Sequence, residues 1–160
     1  MRDTSRLHIL HVLEATTRAG ARSINMIITS STFPDNGAIP KAYACEGRDI
    51  SPPLAWNRIP GSARSLLLIV DDPDAPDPGA PRMTWVHWLL YNLPVSVAGL
   101  PEAMRSLPAG ALEGVNDWQR TGYGGPCPLI GRPRYFHKHS RLTSSCRTSD
   151  VRPGRPWSKR

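Results

Sequence analysis

No apolar run in this chain reaches the roughly 20 residues of a membrane-crossing helix. Apolar residues make up only 39% of the chain, below the usual share for a globular protein, so whatever core forms is modest. The three cysteines, Cys45, Cys127 and Cys146, lack the close spacing of a metal site. No HxxxH pattern occurs, and no Ser or Cys sits in a recognisable nucleophile elbow. The start of the chain lacks the apolar core of a secretory signal. An odd cysteine count without such a signal predicts free thiols in a reducing compartment, and so a cytoplasmic protein.

What is abundant is proline, 17 of 160 residues, about twice the average share. Many prolines and few long periodic stretches point to short strands joined by loops, within one domain. The net charge of +7 is confined to the ends. Residues 1–25 carry +2 and residues 139–160 carry +5, while the stretch between has ten basic and ten acidic residues. A basic tail can attract phosphates without specificity, but no motif or basic face marks a nucleic-acid-binding surface.

Residues 1–25 read as a disordered arm, or as sequence translated upstream of a natural start at Met26. The β-branched run Met26–Phe33 predicts a strand, and Ile39–Cys45 a second short one. Leu54–Trp56 reads as a strand entry and Glu102–Arg105 as one possible helical turn. Ser65–Val70 has the length and composition of a buried strand. It ends in Asp71-Asp72-Pro73-Asp74-Ala75-Pro76. A second long strand, Thr84–Leu93, carries His87 among Trp, Val and Leu. Unpaired buried charge is costly, so carboxylates where a buried strand emerges suggest that something polar binds there. Gly122–Pro128 is a glycine–proline loop, and Arg134–Lys138 begins another strand. The hydrophobic pattern then collapses, and residues 139–160 read as disorder.

On their own, these features have a structural explanation too. A lone His in an apolar strand is more often a satisfied core residue than a ligand. Asp71, Asp72, Asp74 and Asp77 could be a solvated turn. What shifts the balance is the order of the motifs: Ser51-Pro52-Pro53-Leu54, Asp72-Pro73-Asp74-Ala75-Pro76, Trp85-Val86-His87-Trp88, Asn116-Asp117-Trp118, Gly125-Pro126-Cys127-Pro128 and Arg134-Tyr135. In this order they resemble the phosphatidylethanolamine-binding protein family, in particular its bacterial Raf-kinase-inhibitor-like branch. The resemblance covers about residues 26–138.

The resemblance implies a mainly β fold with an antiparallel Greek-key sheet and a small anion pocket at one end. Asp72, Pro76, Trp85, His87, Gly125 and Tyr135 are the expected lining. In that reading His87 donates to a phosphoryl oxygen, and Asp72 either favours its imidazolium or accepts a ligand proton. Gly125 lets backbone N–H approach the anion, Tyr135 offers a phenol, and Ala75–Pro76 is a candidate cis peptide. The implied function is non-catalytic binding of a small anionic or phosphorylated ligand, without metal or cofactor. A protein kinase or other phosphoprotein and a homodimeric second copy are the implied partners. The alternative enzyme would use Asp72, Asp74, His87 and His137 as an acid–base or metal site, in the extreme as a phosphate-ester hydrolase.

Two departures from the family pattern stand out. Its loop ordinarily ends in His-Arg-Tyr, and here Pro133 replaces that His, which predicts weakened phosphate binding. The family also continues past Lys138 with a core strand, an acidic turn and a C-terminal helix. Back-translated and read from the third base of each codon, residues 139–160 can encode LALDVVLPDLGRPTRAALEQA, which has those elements. This predicts a frameshift near His139, a disrupted C-terminal strand and helix, and in the extreme a non-functional truncated product.

Overall fold

The two apolar runs pair with each other at the centre of a computed structural model, which describes residues 7–8 and 26–142. β4 (Ser65–Ala75) and β5 (Met83–Pro94) are antiparallel, with Leu68 opposite Leu90 and Asp72 opposite Trp85. Interior residues of β4 are buried on both faces, which is why its sequence reads as a continuous apolar run rather than an alternation. Register shifts interrupt the pair between Val70 and Asp71 and between Asp72 and Ala75. Such irregularities bend a strand and re-aim its side chains, and here they coincide with the carboxylate cluster.

Two further strands extend this sheet. β8 (Tyr135–Leu142) pairs antiparallel with the other edge of β4, and β7 (Leu112–Glu113) pairs with β5. β1 (Leu7–His8) lies parallel to the start of β8, completing the order β1-β8-β4-β5-β7. A second sheet is built from β2 (Ile27–Thr29), β3 (Leu54–Asn57) and β6 (Gly99–Leu100), with β3 in the middle. The main core joins Leu66, Leu68, Val70, Trp88, Leu90 and Leu93 of the large sheet to Ile28, Leu54, Trp56 and Leu100 of the small one. Leu67, Leu89 and Tyr91 form a separate cluster, with Ile69, Val86 and Leu142 packed on it.

Mainly β architecture with antiparallel sheets is therefore what forms. Among the described residues the one helix is a 3-10 turn, Lys41–Tyr43, in place of the strand expected over Ile39–Cys45. Pro40 precedes it, and the N–H groups of Tyr43 and Ala44 bond back to Pro40 and Lys41, closing a local turn instead of a ladder. Ala75–Pro76 is cis.

Two expectations about the chain's ends change. β8 does not stop where the hydrophobic pattern fades at Lys138 but continues through Leu142, opposite Ser65–Leu68. Main-chain pairing needs no particular side chain, and Leu142 still packs on the Leu67 cluster while its carbonyl accepts the Arg64 N–H. The expected disorder of residues 1–25 and the altered helix fall outside the described residues, apart from β1. Secondly, Cys45 and Cys127 are not free thiols but form a disulfide across 82 residues of sequence. The cysteine count could not reveal this, because the fold brings together residues that no local spacing connects. Cys146 lies outside the described residues.

Candidate functional site

β4 ends in three carboxylates, each buried and each with different company. Asp71 accepts from Lys138 Nζ at 2.6 Å. Asp74 takes both the Nε and Nη2 of Arg134, at 2.8 and 2.6 Å, and also the Arg134 N–H. This two-pronged clamp fixes the first turn of β8, and Tyr135 follows directly. Asp72 accepts the Asp74 N–H at 2.7 Å. Burial is the main reason its pKa is raised to about 6, with the Asp74 N–H opposing and the neighbouring Asp74 and Asp71 charges adding to it. Asp72 therefore holds its proton to higher pH than an ordinary carboxyl, with the Arg134 charge only partly opposing the shift.

His87 stands on β5, 3% exposed. Its Nδ1 lies 2.8 Å from the Gly124 carbonyl. A carbonyl only accepts, so Nδ1 carries the proton and the neutral ring keeps an acceptor lone pair at Nε2. Burial drives its pKa down to about 4, against the pull of the Gly124 and Gly125 backbone and of Asp117 and Asp49. The expected imidazolium held by Asp72 is thus corrected: the ring is neutral at pH 7, and a backbone carbonyl orients it. Gly124 also donates its N–H to the His87 carbonyl at 3.1 Å, so this loop is stitched to β5 on both sides.

Aromatic edges close the surroundings. The His87 ring meets Tyr135 at 5.0 Å and Trp118 at 4.8 Å between centroids, both edge-on. Trp118 in turn meets Trp85 at 5.4 Å. Trp85 lies opposite Asp72, so the two side chains share a face. Its Nε1–H is buried without a hydrogen-bond partner among the described residues. An unpaired buried donor is costly, and an acceptor on a ligand would satisfy it.

Of the six expected residues, Asp72 faces Trp85 across the strand pair, Trp85 reaches His87 through Trp118, Tyr135 meets the His87 ring, and Gly125 lies in the loop against His87. Pro76 is exposed on the turn after β4. Gly125 has a different role from the one expected. Its N–H already donates to Asp49 Oδ1 at 2.6 Å, and a Cβ there would lie 2.3 Å from the Tyr43 carbonyl oxygen. Glycine is needed for close packing against the Tyr43–Ala44 segment. Pro133, in the place of the family's His, is buried and supplies no side-chain donor.

Sequence reasoning assigned no role to Trp118, Gly124, Asp49 or Asn116. Asn116 is fully buried and organises the loop before Gly124. Its Oδ1 accepts from the Trp118 and Arg120 N–H groups, and its Nδ2 donates to the Gly122 carbonyl. The Asn-Asp-Trp run was the available signal, whereas Gly124 acts through a carbonyl that any residue possesses. A separate cleft of about 420 Å3, lined by residues including Arg48, Arg105, Glu113 and Tyr123, contains none of the six expected residues.

The fold is thus a two-sheet β protein that gathers a carboxylate, an oriented imidazole and a phenol around its central strands. The chain belongs to the phosphatidylethanolamine-binding protein family, whose sequence profile matches residues 29–155. A UPF0098 protein of Methanothermobacter thermautotrophicus is 44% identical over 133 residues, covering 81% of this chain and 82% of the relative. One from Aquifex aeolicus is 42% identical, covering 71% and 66%. The crystal structure of a putative family homolog from Chlamydia trachomatis matches with a TM-score of 0.69 at 38% identity, covering 77% of this chain and 78% of that one. The E. coli family member YbcL matches with a TM-score of 0.67 at 31% identity, covering 74% and 77%. Members of this family bind anionic ligands in a shared pocket.

Proposed function

We propose that this chain is a non-catalytic binding protein whose Asp72–His87 pocket takes a protonated phosphate, free or on a phosphorylated partner. The observation carrying this reading is the asymmetry of the carboxylates. Asp71 has Lys138 and Asp74 has Arg134, while Asp72 forms no ion pair among the described residues and lies opposite Trp85, on the strand that carries the neutral His87. Asp72 and His87 Nε2 are acceptors, and the Trp85 Nε1–H is an unspent donor. A monoprotonated phosphate supplies both partners at once: its P–OH donates and its anionic oxygens accept. A phosphoprotein such as a kinase substrate or a kinase would present the same group. Sulfate, with no proton to give near neutral pH, could use the Trp85 donor but would leave Asp72 and His87 Nε2 as unmatched acceptors.

Calorimetric titration of inorganic phosphate, phenyl phosphate and sulfate tests this. The reading requires saturable phosphate binding, at least about tenfold weaker sulfate binding, and loss of phosphate binding in Asp72→Ala and His87→Ala, the scale of one or two charge-assisted hydrogen bonds. Equal affinity for phosphate and sulfate, or unchanged affinity in both variants, would sink it.

One observation supports a second reading, in which the reading frame changes near His139. His139 is 1% exposed and stacks on Trp56 at 4.7 Å, and neither of its ring nitrogens has a partner among the described residues. The position suits an aliphatic side chain, and the alternative frame continues into the apolar run Leu-Ala-Leu. In this reading the chain is an altered product whose pocket is held less firmly. The nucleotide sequence from Phe136 to the stop codon decides it: if no single-base insertion or deletion restores that frame, the reading fails.

A further inference from the structure

The loop that orients His87 belongs to no strand. Residues 122–128 are held on one side by His87 and on the other by the segment 43–49. Gly124 O receives His87 Nδ1–H, and Gly125 N–H reaches Asp49. The Cys45 N–H donates to the Pro126 carbonyl at 3.0 Å, and the Tyr123 hydroxyl to the Tyr43 carbonyl at 2.9 Å. The single covalent tie among these is Cys45–Cys127, three residues beyond the carbonyl that sets the imidazole. Cys127 is exposed and Cys45 half-buried, so a small thiol can reach the bond.

We propose that Cys45–Cys127 is a thiol-exchange site that locks the anion pocket: the oxidised chain binds, and reduction by a dithiol or a glutathione-class thiol releases the 122–128 loop and with it His87. The proposal rests on the pocket reading above. In the exchange, two thiols of the reductant form a disulfide, the Cys45–Cys127 bond breaks, and each cysteine sulfur takes up one proton. Once the bond is broken, the tie between the loop and the 43–49 segment rests on hydrogen bonds alone, and the Asp49 carboxylate holding Gly125 is partly open to solvent. With the Gly124 carbonyl displaced, the His87 ring loses its tautomer and orientation, and water gains access to it. The coupling is reciprocal, so bound phosphate makes the disulfide harder to reduce by the same factor that reduction weakens phosphate binding.

The test uses the full chain with Cys146→Ser, so that the third thiol cannot exchange. His87 ring resonances are followed by NMR against pH, with and without a phosphine reductant, alongside phosphate titrations and far-UV circular dichroism in each state. In the oxidised chain His87 is expected to titrate near 4, since burial holds its pKa down. Reduction is expected to raise that value toward the ordinary 6.5 or so and to weaken phosphate about tenfold, a typical allosteric coupling, with the β spectrum intact. Cys127→Ser should reproduce the reduced state. Superimposable His87 titrations in the two states overturn the proposal, as does loss of the β spectrum on reduction, which would make the disulfide a staple of the whole fold. A redox-dependent His87 with no phosphate binding in either state upholds the lock and sinks the ligand reading instead.

Discussion

Acid should unfold this protein sooner than its carboxylates alone would suggest. Three imidazoles are buried in the neutral form: His87 on β5, and His137 and His139 on β8. His137 lies opposite Val70 and His139 opposite Leu68, so both rings lie on the same face of the sheet, His137 against Phe33 and His139 against Trp56. Neither ring has a hydrogen-bond partner among the described residues, and burial dominates both shifts. The pKa of His137 falls to about 3, with the charge of His87 adding to burial, while His139 and His87 fall to about 4. The unfolded chain binds these protons near pH 6.5 and the fold does not. The contribution is therefore intact above that pH and is lost as pH drops toward the folded values. At pH 5 each histidine has cost about 2 kcal/mol, or about 6 kcal/mol for the three. Asp72 acts in the opposite sense. Its raised pKa of about 6 lets the fold take up a proton before the unfolded chain does, returning about 1 kcal/mol by pH 5. Asp71 is also raised, by burial against the pull of Lys138, and has the same sign as Asp72. The net loss between pH 7.5 and pH 5 from the three histidines and Asp72 is about 5 kcal/mol, which Asp71 reduces further; this is a large part of a typical domain's 5–15 kcal/mol. Urea unfolding followed by tryptophan fluorescence at several pH values and constant ionic strength measures it. A midpoint that stays level between pH 7.5 and pH 5 would refute the buried-imidazole account.

Three further outcomes follow from individual residues. His139→Leu removes two unpaired ring nitrogens from the Trp56 contact and should raise stability at pH 7.5 by about 2 kcal/mol. It should also flatten the acid slope by about a third, and a lowered urea midpoint would count against it. Pro133→His restores a side-chain donor beside Arg134, so phosphate affinity by calorimetry should rise severalfold, about 1 kcal/mol for one hydrogen bond. Unchanged affinity would show that this position does not reach the anion. Asp74→Asn breaks the two-pronged grip on Arg134. Because that guanidinium is half exposed, the stability cost should be only about 1 kcal/mol. Phosphate affinity should nevertheless fall, since Tyr135 loses its anchor, and a variant with full affinity would contradict that role.

The central strands were legible because β4 and β5 are long, apolar and bounded by Pro, Gly and Asp. Asp72 and His87 were legible because their motifs keep a fixed order along the chain. Other parts had no signature to read. The Cys45–Cys127 pair is joined by the fold across a distance that spacing cannot encode. The Gly124 carbonyl and the Gly125–Asp49 bond use backbone groups present in every residue. Lys41–Tyr43 was read as strand from its neighbours' composition, yet local bonding to Pro40 curls it into a turn. The polar sequence after Lys138 looked incompatible with a strand, but β4 supplies a complete ladder of main-chain partners through Leu142. The cost of that accommodation is carried by His139, whose ring enters an aliphatic core without a partner.

The central claim, that Asp72 and His87 form an anion pocket, is most directly tested by a crystal structure of the oxidised chain grown or soaked with phosphate near pH 7. The account predicts tetrahedral density bounded by Asp72, Trp85, His87 and Tyr135, with an oxygen within hydrogen-bond distance of His87 Nε2. An empty pocket at saturating phosphate, or phosphate bound only elsewhere on the surface, would contradict it.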